Sequence, residues 1–399
     1  MEGRFPFYFA FMEITHEKAC HCALNRIFGF EPKVALGLIS QVGSASTIFE
    51  LGSKELDMLT GPYFKYKGLI CPKAAEAEME ELEKLSAQGI SFCGWTDDNY
   101  PELLKECEDP PVGLYIRSST PAGELWKARS NIAVVGTRDI SPYGMEWCSR
   151  IVRSLALTDA RPAIISGLAL GTDIIAHKTA LENGLPTIGV MATGPECVYP
   201  HRHKAFAEQL VNTPGCALVS DYPPGTAPVA LNFLRRNRII AGLSNATVLI
   251  ESKIKGGGMM TCRLAFSYNR DVYALPGRVD DIRSQGCNEL IRRKIAEPVT
   301  SEKELIDSLG LKIRNTCQVA KLEARLVRSY ESAADNDRID MMKNIILAIK
   351  KHRGISVEEL SELTGIGYIK TSELTGMLEI DGFICIDLLQ RCSINYKNV

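Results

Sequence analysis

Apolar residues recur at helical spacing through Lys18–Ile27, Pro32–Ile39 and Ala45–Leu51, with Gly43 between the last two segments. This spacing predicts helix, tight turn, helix, in the manner of a SAM or helix-hairpin-helix module. Such a hairpin can offer backbone N–H groups to a phosphate, but no Lys or Arg stands beside Gly43, so the segment reads as a structural helical hairpin in preference to a phosphate-binding one. Another helix is predicted over Ala74–Leu85, ahead of a turn-rich stretch, Asp97–Pro111. Residues 1–125 therefore read as a helical N-terminal domain. An apolar run at Phe5–Met12 reads as its buried first element.

The pattern changes after residue 130. Short β-rich runs at Ile132–Val135, Ala163–Ile165, Thr187–Met191, Ala217–Val219, Thr247–Ile250 and Asp271–Ala274 alternate with helical stretches. That alternation predicts an α/β domain, with a parallel sheet covered by helices on both faces, over 126–311. Nearly every run ends in glycine or a turn, as at Gly136-Thr-Arg138, Ser166-Gly167, Pro223-Pro-Gly225 and Gly256-Gly-Gly258. In such sheets the carboxyl ends of the strands form the ligand crevice, so these loops are expected to gather along one edge.

Residues 312–338 are mixed in charge and weakly patterned, and read as a linker. A last domain is expected over 339–399. Its helices are predicted at Ile339–Lys351, Ser356–Leu363 and Tyr368–Ile380, followed by two strands flanking a turn, which is winged-helix order. This domain holds seven Lys/Arg against eight Asp/Glu. That balance is wrong for strong duplex binding, which keeps a protein-contact role open.

Composition adds limits. Of 399 residues, 45% are hydrophobic and 24% charged, a globular balance. The formal net charge of -2 means that any nucleic-acid surface must be local. No apolar run approaches the roughly 20 residues of a membrane helix, and Phe5–Met12 lacks the basic start and cleavage site of a signal peptide. The chain is expected in the cytoplasm. Its 13 cysteines are scattered and include no Cys-x-x-Cys; Cys20-His21-Cys22 is too tightly spaced for zinc. No metal and no cofactor are assigned.

Four segments carry candidate chemistry. Gly136-Thr-Arg138, followed by Ser141-Pro142, joins a glycine turn, a guanidinium and a capped helix start, all suited to an anion. Ser166-Gly167-Leu-Ala-Leu-Gly171-Thr-Asp173 has two glycines that permit close backbone approach, without the dinucleotide spacing Gly-x-Gly-x-x-Gly. Arg235-Arg236-Asn237-Arg238 is the densest cationic string, and no acid occurs between Tyr222 and Ile250. If a helix begins there, the arginines crowd its first turn and suit several phosphates. Gly256-Gly-Gly258-Met-Met-Thr261 precedes a helix but has no Gly-Lys-Thr, which argues against a nucleoside triphosphatase.

Together these segments resemble the DNA-processing protein A (DprA, also Smf) family. The resemblance runs from Tyr100-Pro-Glu-Leu-Leu through Val135-Gly-Thr-Arg138, Ser166-Gly-Leu-Ala-x-Gly-x-Asp173, Tyr199-Pro200 and Pro223-Pro-Gly225. It continues through Arg236-Asn-Arg-Ile-Ile-Ala-Gly-Leu-Ser244 to Gly286-Cys-Asn288. It implies an extended Rossmann-like domain that binds and protects single-stranded DNA, acts as a homodimer and helps load the RecA recombinase. It places Arg138, Gly167, Gly171, Arg236, Asn237 and Arg238 at the phosphate-binding edge; Gly136 and Ser166 join from the loop pattern and Arg235 from its charge. Departures from the family pattern include Thr172, His203, Leu234, the Gly256-Gly-Gly run and Lys294-Ile295.

The rival expectation is an enzyme of the related lysine-decarboxylase-like nucleotide N-glycosidases. Those need a carboxylate on the helix after the glycine loop. Here Leu264 stands three residues beyond Thr261, and Cys262–Tyr268 contains no Asp or Glu. No catalytic residue is therefore assigned. Aromatic residues near the edge, Tyr199, Tyr222 and Phe233, could stack on bases or belong to the core.

Overall fold

The computed structural model describes residues 14–126, 130–314, 324–330, 336–352, 354–387 and 390–395. Met1–Leu311 and Lys312–Val399 form two compact units. The apolar run Phe5–Met12 lies outside the described residues.

In the first unit five helices come first: α1 (His16–Phe28), α2 (Pro32–Val42), α3 (Ala45–Glu50), α4 (Ser53–Thr60) and α5 (Pro72–Ala87). Leu24 and Phe28 of α1, Ile39 of α2, and Ile48 and Phe49 of α3 share one apolar cluster, while Cys22 of α1 and Leu82 and Leu85 of α5 join a second with Phe92 and Tyr115. Gly43 ends α2 at φ 94°, donating its N–H to the Ile39 carbonyl at 2.8 Å. The N–H groups of Ala45 and Ser46, which open α3, are already taken by the Glu17 carboxylate at 2.6 and 2.8 Å. The hairpin is thus capped from within the protein, and a phosphate would have to displace a carboxylate to reach those donors.

A nine-stranded sheet follows: β1 (Ile90–Gly94), β2 (Gly113–Arg117), β3 (Asn131–Val135), β4 (Ala163–Ser166), β5 (Thr187–Val190), β6 (Ala217–Ser220), β7 (Ala246–Leu249), β8 (Asp271–Ala274) and β9 (Glu297–Pro298). Their order is β1-β2-β6-β5-β4-β3-β7-β8-β9. From β6 to β9 all neighbours are parallel; β2 joins β6 and β1 joins β2 antiparallel. The first two strands correct the expectation that everything up to residue 125 is helical. They extend the sheet by pairing Tyr115 with Ser220 and Phe92 with Tyr115, contacts that no local periodicity reports.

The central strands are predominantly apolar and fully buried because both faces are covered. Ile132 and Val134 of β3 enter one core with Val152 and Val248, whereas Ala133 and Val135 enter the opposite core with Ile165 and Ile239. Helices α6 (Pro142–Ala156), α7 (Thr172–Glu182), α8 (Lys204–Val211), α9 (Ala230–Gly242), α10 (Gly257–Ser267), α11 (Gln285–Arg292) and α12 (Glu302–Ser308) supply the covering. Chain order runs outward from β3 through β4 to β6 and then returns to β7 on its other side. The sheet therefore has its topological switch point at β3, where a ligand crevice is expected.

The second unit contains a helix over 324–330, then α13 (Asn336–Lys351), β10 (Ile355–Ser356), α14 (Val357–Thr364), α15 (Tyr368–Ile380), β11 (Ile384–Ile386) and β12 (Arg391–Ile394). Its three strands are ordered β10-β12-β11 and antiparallel. Leu326 and Tyr330 pack with Ile345, Leu374 and Phe383, so part of the stretch expected to be a linker contributes to this core. Among the described residues no helix is long and apolar enough to cross a membrane.

Candidate functional site

Three glycine-rich turns meet at the carboxyl edge beside β3. The turn after β3 runs through Gly136 to Asp139, the turn after β4 leads into α7, and the turn after β7 runs through Ser252 to Gly258. Close approach explains the glycines. A Cβ on Gly258 would lie 2.6 Å from Leu249 Cδ1 and 3.3 Å from the Gly136 Cα. Gly171 has φ 73°, and a Cβ there would run into the Thr137 carbonyl. Larger residues would push the turns apart.

Between the turns and α9 lies an open cavity of about 790 Å³. Its cations are Arg138, Arg236, Lys253 and Lys255, and its acids are Asp139 and Asp173. Arg138, Lys253 and Lys255 are exposed around the mouth, whereas Arg236 is buried in the floor. Arg236 Nη1 donates to the Gly167 carbonyl at 2.7 Å and to that of Val190. Burial pulls the Arg236 guanidinium down to about 10, against the attraction of Asp173, and it stays charged at neutral pH. Burial also raises the Asp173 carboxyl, with Arg236 opposing the shift.

The cavity is also lined by aromatic surface. Tyr199 and Phe233 sit with ring centroids 5.3 Å apart, and the Arg138 guanidinium lies 5.3 Å from the Phe233 centroid. Helix α10 begins at the cavity with no side-chain cap. By contrast, Ser141 caps α6, and the Glu251 carboxylate accepts the Ser141 N–H at 2.9 Å and its hydroxyl at 2.5 Å. The uncapped helix start leaves first-turn N–H groups and the positive dipole end for an anion.

The expected site residues divide into three groups. Gly136, Arg138, Arg236 and Asn237 line the cavity. Ser166, Gly167 and Gly171 support it from beneath: the Ser166 hydroxyl donates to the Val134 carbonyl at 2.6 Å, and a Cβ on Gly167 would stand 2.5 Å from the Arg236 guanidinium. Arg235 and Arg238 are not brought to the cavity. Helix α9 begins at Ala230, so the arginines lie beyond its first turn and point in different directions. Arg238 is buried against Asp221 at 2.5 Å and bonds the Asp109 carbonyl. Arg235 turns to the Gly29 carbonyl at 2.8 Å.

Sequence reasoning passed over Lys253 and Lys255, although both stand directly ahead of Gly256. Of the three aromatic candidates, Tyr199 and Phe233 line the cavity, while Tyr222 is core, its hydroxyl bonded to the Asn232 carbonyl at 3.2 Å. Cys20, His21 and Cys22 do not converge. Cys22 lies against Glu78 and Tyr115, whereas His21 bonds Glu17 and Thr96.

Residues 91–310, most of the sheet unit and the whole cavity, match the family of DNA recombination-mediator protein A. The chain belongs to that family. It is similar to the DNA processing protein DprA of Streptococcus pneumoniae, 37% identical over 53% of this chain and 71% of that one. The Smf protein of a Synechocystis strain is 37% identical over 57% of this chain and 56% of its own length, so the match to that relative spans little more than half of it. Among solved structures, that of DprA from S. pneumoniae superposes with a TM-score of 0.62 at 28% identity, covering 76% of this chain and all of that one. A structure of DNA processing protein A from Helicobacter pylori, concerned with its single-stranded DNA binding mode, matches at 29% identity over 55% of this chain with a TM-score of 0.48.

Proposed function

We propose that this DprA-family chain binds single-stranded DNA through the cavity beside β3, with no bond made or broken. The observation that carries this reading is the combination of four cations, an uncapped helix start and the Tyr199–Phe233 pair in one open cleft. Cations and backbone N–H groups suit phosphates. An exposed aromatic beside them suits unstacked bases, which a duplex keeps enclosed. The domain is an extended Rossmann-like one in this reading, and the C-terminal unit is a winged helix. The family resemblance extends the proposal to a cytoplasmic homodimer that protects incoming or exposed single strands and helps load the RecA recombinase.

A second reading, release of a base from a nucleotide, has one observation in its favour: Asp173 lines the cavity with its carboxyl raised by burial. Its carboxylate also accepts the Ala169 N–H at 3.3 Å and faces Arg236, which suits an anchor for the floor arginine. Titration of the protein with labelled single-stranded and duplex oligonucleotides tests the first reading. Preference for the single strand, steeply weakened by salt, is expected; equal binding to duplex, or release of free base from a nucleoside monophosphate, would overturn it.

A further inference from the structure

Arg235 was expected at the phosphate edge and lies elsewhere, yet it is not buried in structural work as Arg238 is. Its guanidinium is stacked 4.0 Å from the centroid of Phe30 and anchored by the Gly29 carbonyl. Phe30 nevertheless remains 57% exposed. Phe30 follows α1, whose Asn25 amide donates to the Asp221 carbonyl at 2.7 Å, and this holds the end of α1 against the sheet unit.

The platform adjoins the cavity. Ala230, Phe233, Leu234 and Asn237 form the stripe of α9 that lines it. Arg235 follows Leu234 directly and shares the next stripe with Leu231, at i and i+4. Leu231 and Leu234 are 56% and 44% exposed. By helical spacing Leu231 neighbours both Leu234, which lines the cavity, and Arg235, which stacks on Phe30. Planar guanidinium and aromatic faces are the groups on which unstacked bases rest.

We propose that Phe30 and Arg235 form a second base-stacking platform, taking the nucleotide that follows those held in the cavity. The proposal rests on the single-stranded DNA reading above and adds to it a path from the sheet onto the N-terminal helices. The platform takes a base of any identity, because it offers π-faces and no hydrogen-bond pattern specific to one base.

The test is an abasic scan. Fluorescein-labelled oligothymidylates, each with one abasic position, are titrated by anisotropy against the full chain and against its Phe30→Leu and Arg235→Lys variants. Leucine keeps apolar bulk without the ring, and lysine keeps the charge without the plane. One position beyond those that depend on the cavity is expected to weaken the wild type about fivefold to tenfold when abasic. In either variant the intact strand should already show that loss, and the abasic change should add nothing. The platform is overturned if no position behaves this way, or if the loss persists undiminished in both variants. Failure of the wild type to bind any of the strands would instead overturn the single-strand reading itself.

Discussion

Changing Arg138, Lys253 and Lys255 together to glutamine removes the exposed cations of the cavity and leaves its floor intact. All three side chains are exposed and, among the described residues, none makes an ion pair, so the thermal midpoint should hardly move. The effect on binding follows from counterion release, which contributes a slope of about −0.7 in log affinity against log salt for each single-strand phosphate neutralised. Four cavity cations give a slope of about −2.8, and Arg236 alone about −0.7. Between about 50 and 200 mM salt, the wild type should lose about fiftyfold in affinity and the variant only about threefold. Anisotropy titrations of one labelled oligonucleotide at four or five salt concentrations read both slopes. An unchanged slope in the variant would refute the reasoning, because the phosphates would then be neutralised somewhere other than this cleft.

Two further outcomes separate structural groups from binding ones. Arg238→Met should cost about 3–5 kcal/mol in urea unfolding, since it strands the buried Asp221 carboxylate, while the salt slope of the protein that remains folded stays that of the wild type. His177 is fully buried, with Nδ1 2.6 Å from the Thr187 hydroxyl, and burial depresses it to about 3. Below its ordinary value near 6.5 the unfolded chain takes up a proton that the folded one refuses, so this group's contribution is complete above pH 6.5 and declines as pH falls toward 3. The wild type should lose about 2 kcal/mol between pH 7 and pH 5 that His177→Asn does not lose, as urea titrations at the two values would show.

What the sequence disclosed followed from burial. The six central strands were legible to within a residue or so because parallel strands covered on both faces must be continuous apolar runs bounded by turns. Strands β1 and β2 escaped notice because Ile90–Gly94 and Gly113–Arg117 flank the turn-rich segment and owe their conformation to long-range pairing, β1 with β2 and β2 with the distant β6. The glycine turns disclosed the crevice, since only glycine admits their close approach. Tyr199 and Tyr222 could not be told apart from sequence. Both are tyrosines next to proline, and only the fold buries Tyr222, with its hydroxyl on the Asn232 carbonyl, while leaving Tyr199 exposed.

The Arg235–Arg238 string shows why a dense charge run is a poor guide to where a ligand sits. Successive residues of a helix are turned by about 100°, so three arginines within four positions must face at least two directions. In α9 they face three: toward Phe30, toward the cavity floor and toward Asp221. Only the middle one reaches the cleft, and it arrives buried, already bonded to two strand-end carbonyls. The exposed cations come instead from Arg138, Lys253 and Lys255, on the turns between the strand ends and the following helices. A loop can aim several side chains at one point without helical phase scattering them, and here it does so beside the uncapped start of α10. The helix therefore supplies rigidity and one deep charge, while the turns supply the charge that a strand would meet first. This division makes the salt slope sensitive to lysines that the arginine string overshadowed, and makes stability sensitive to an arginine that looked like part of the binding surface.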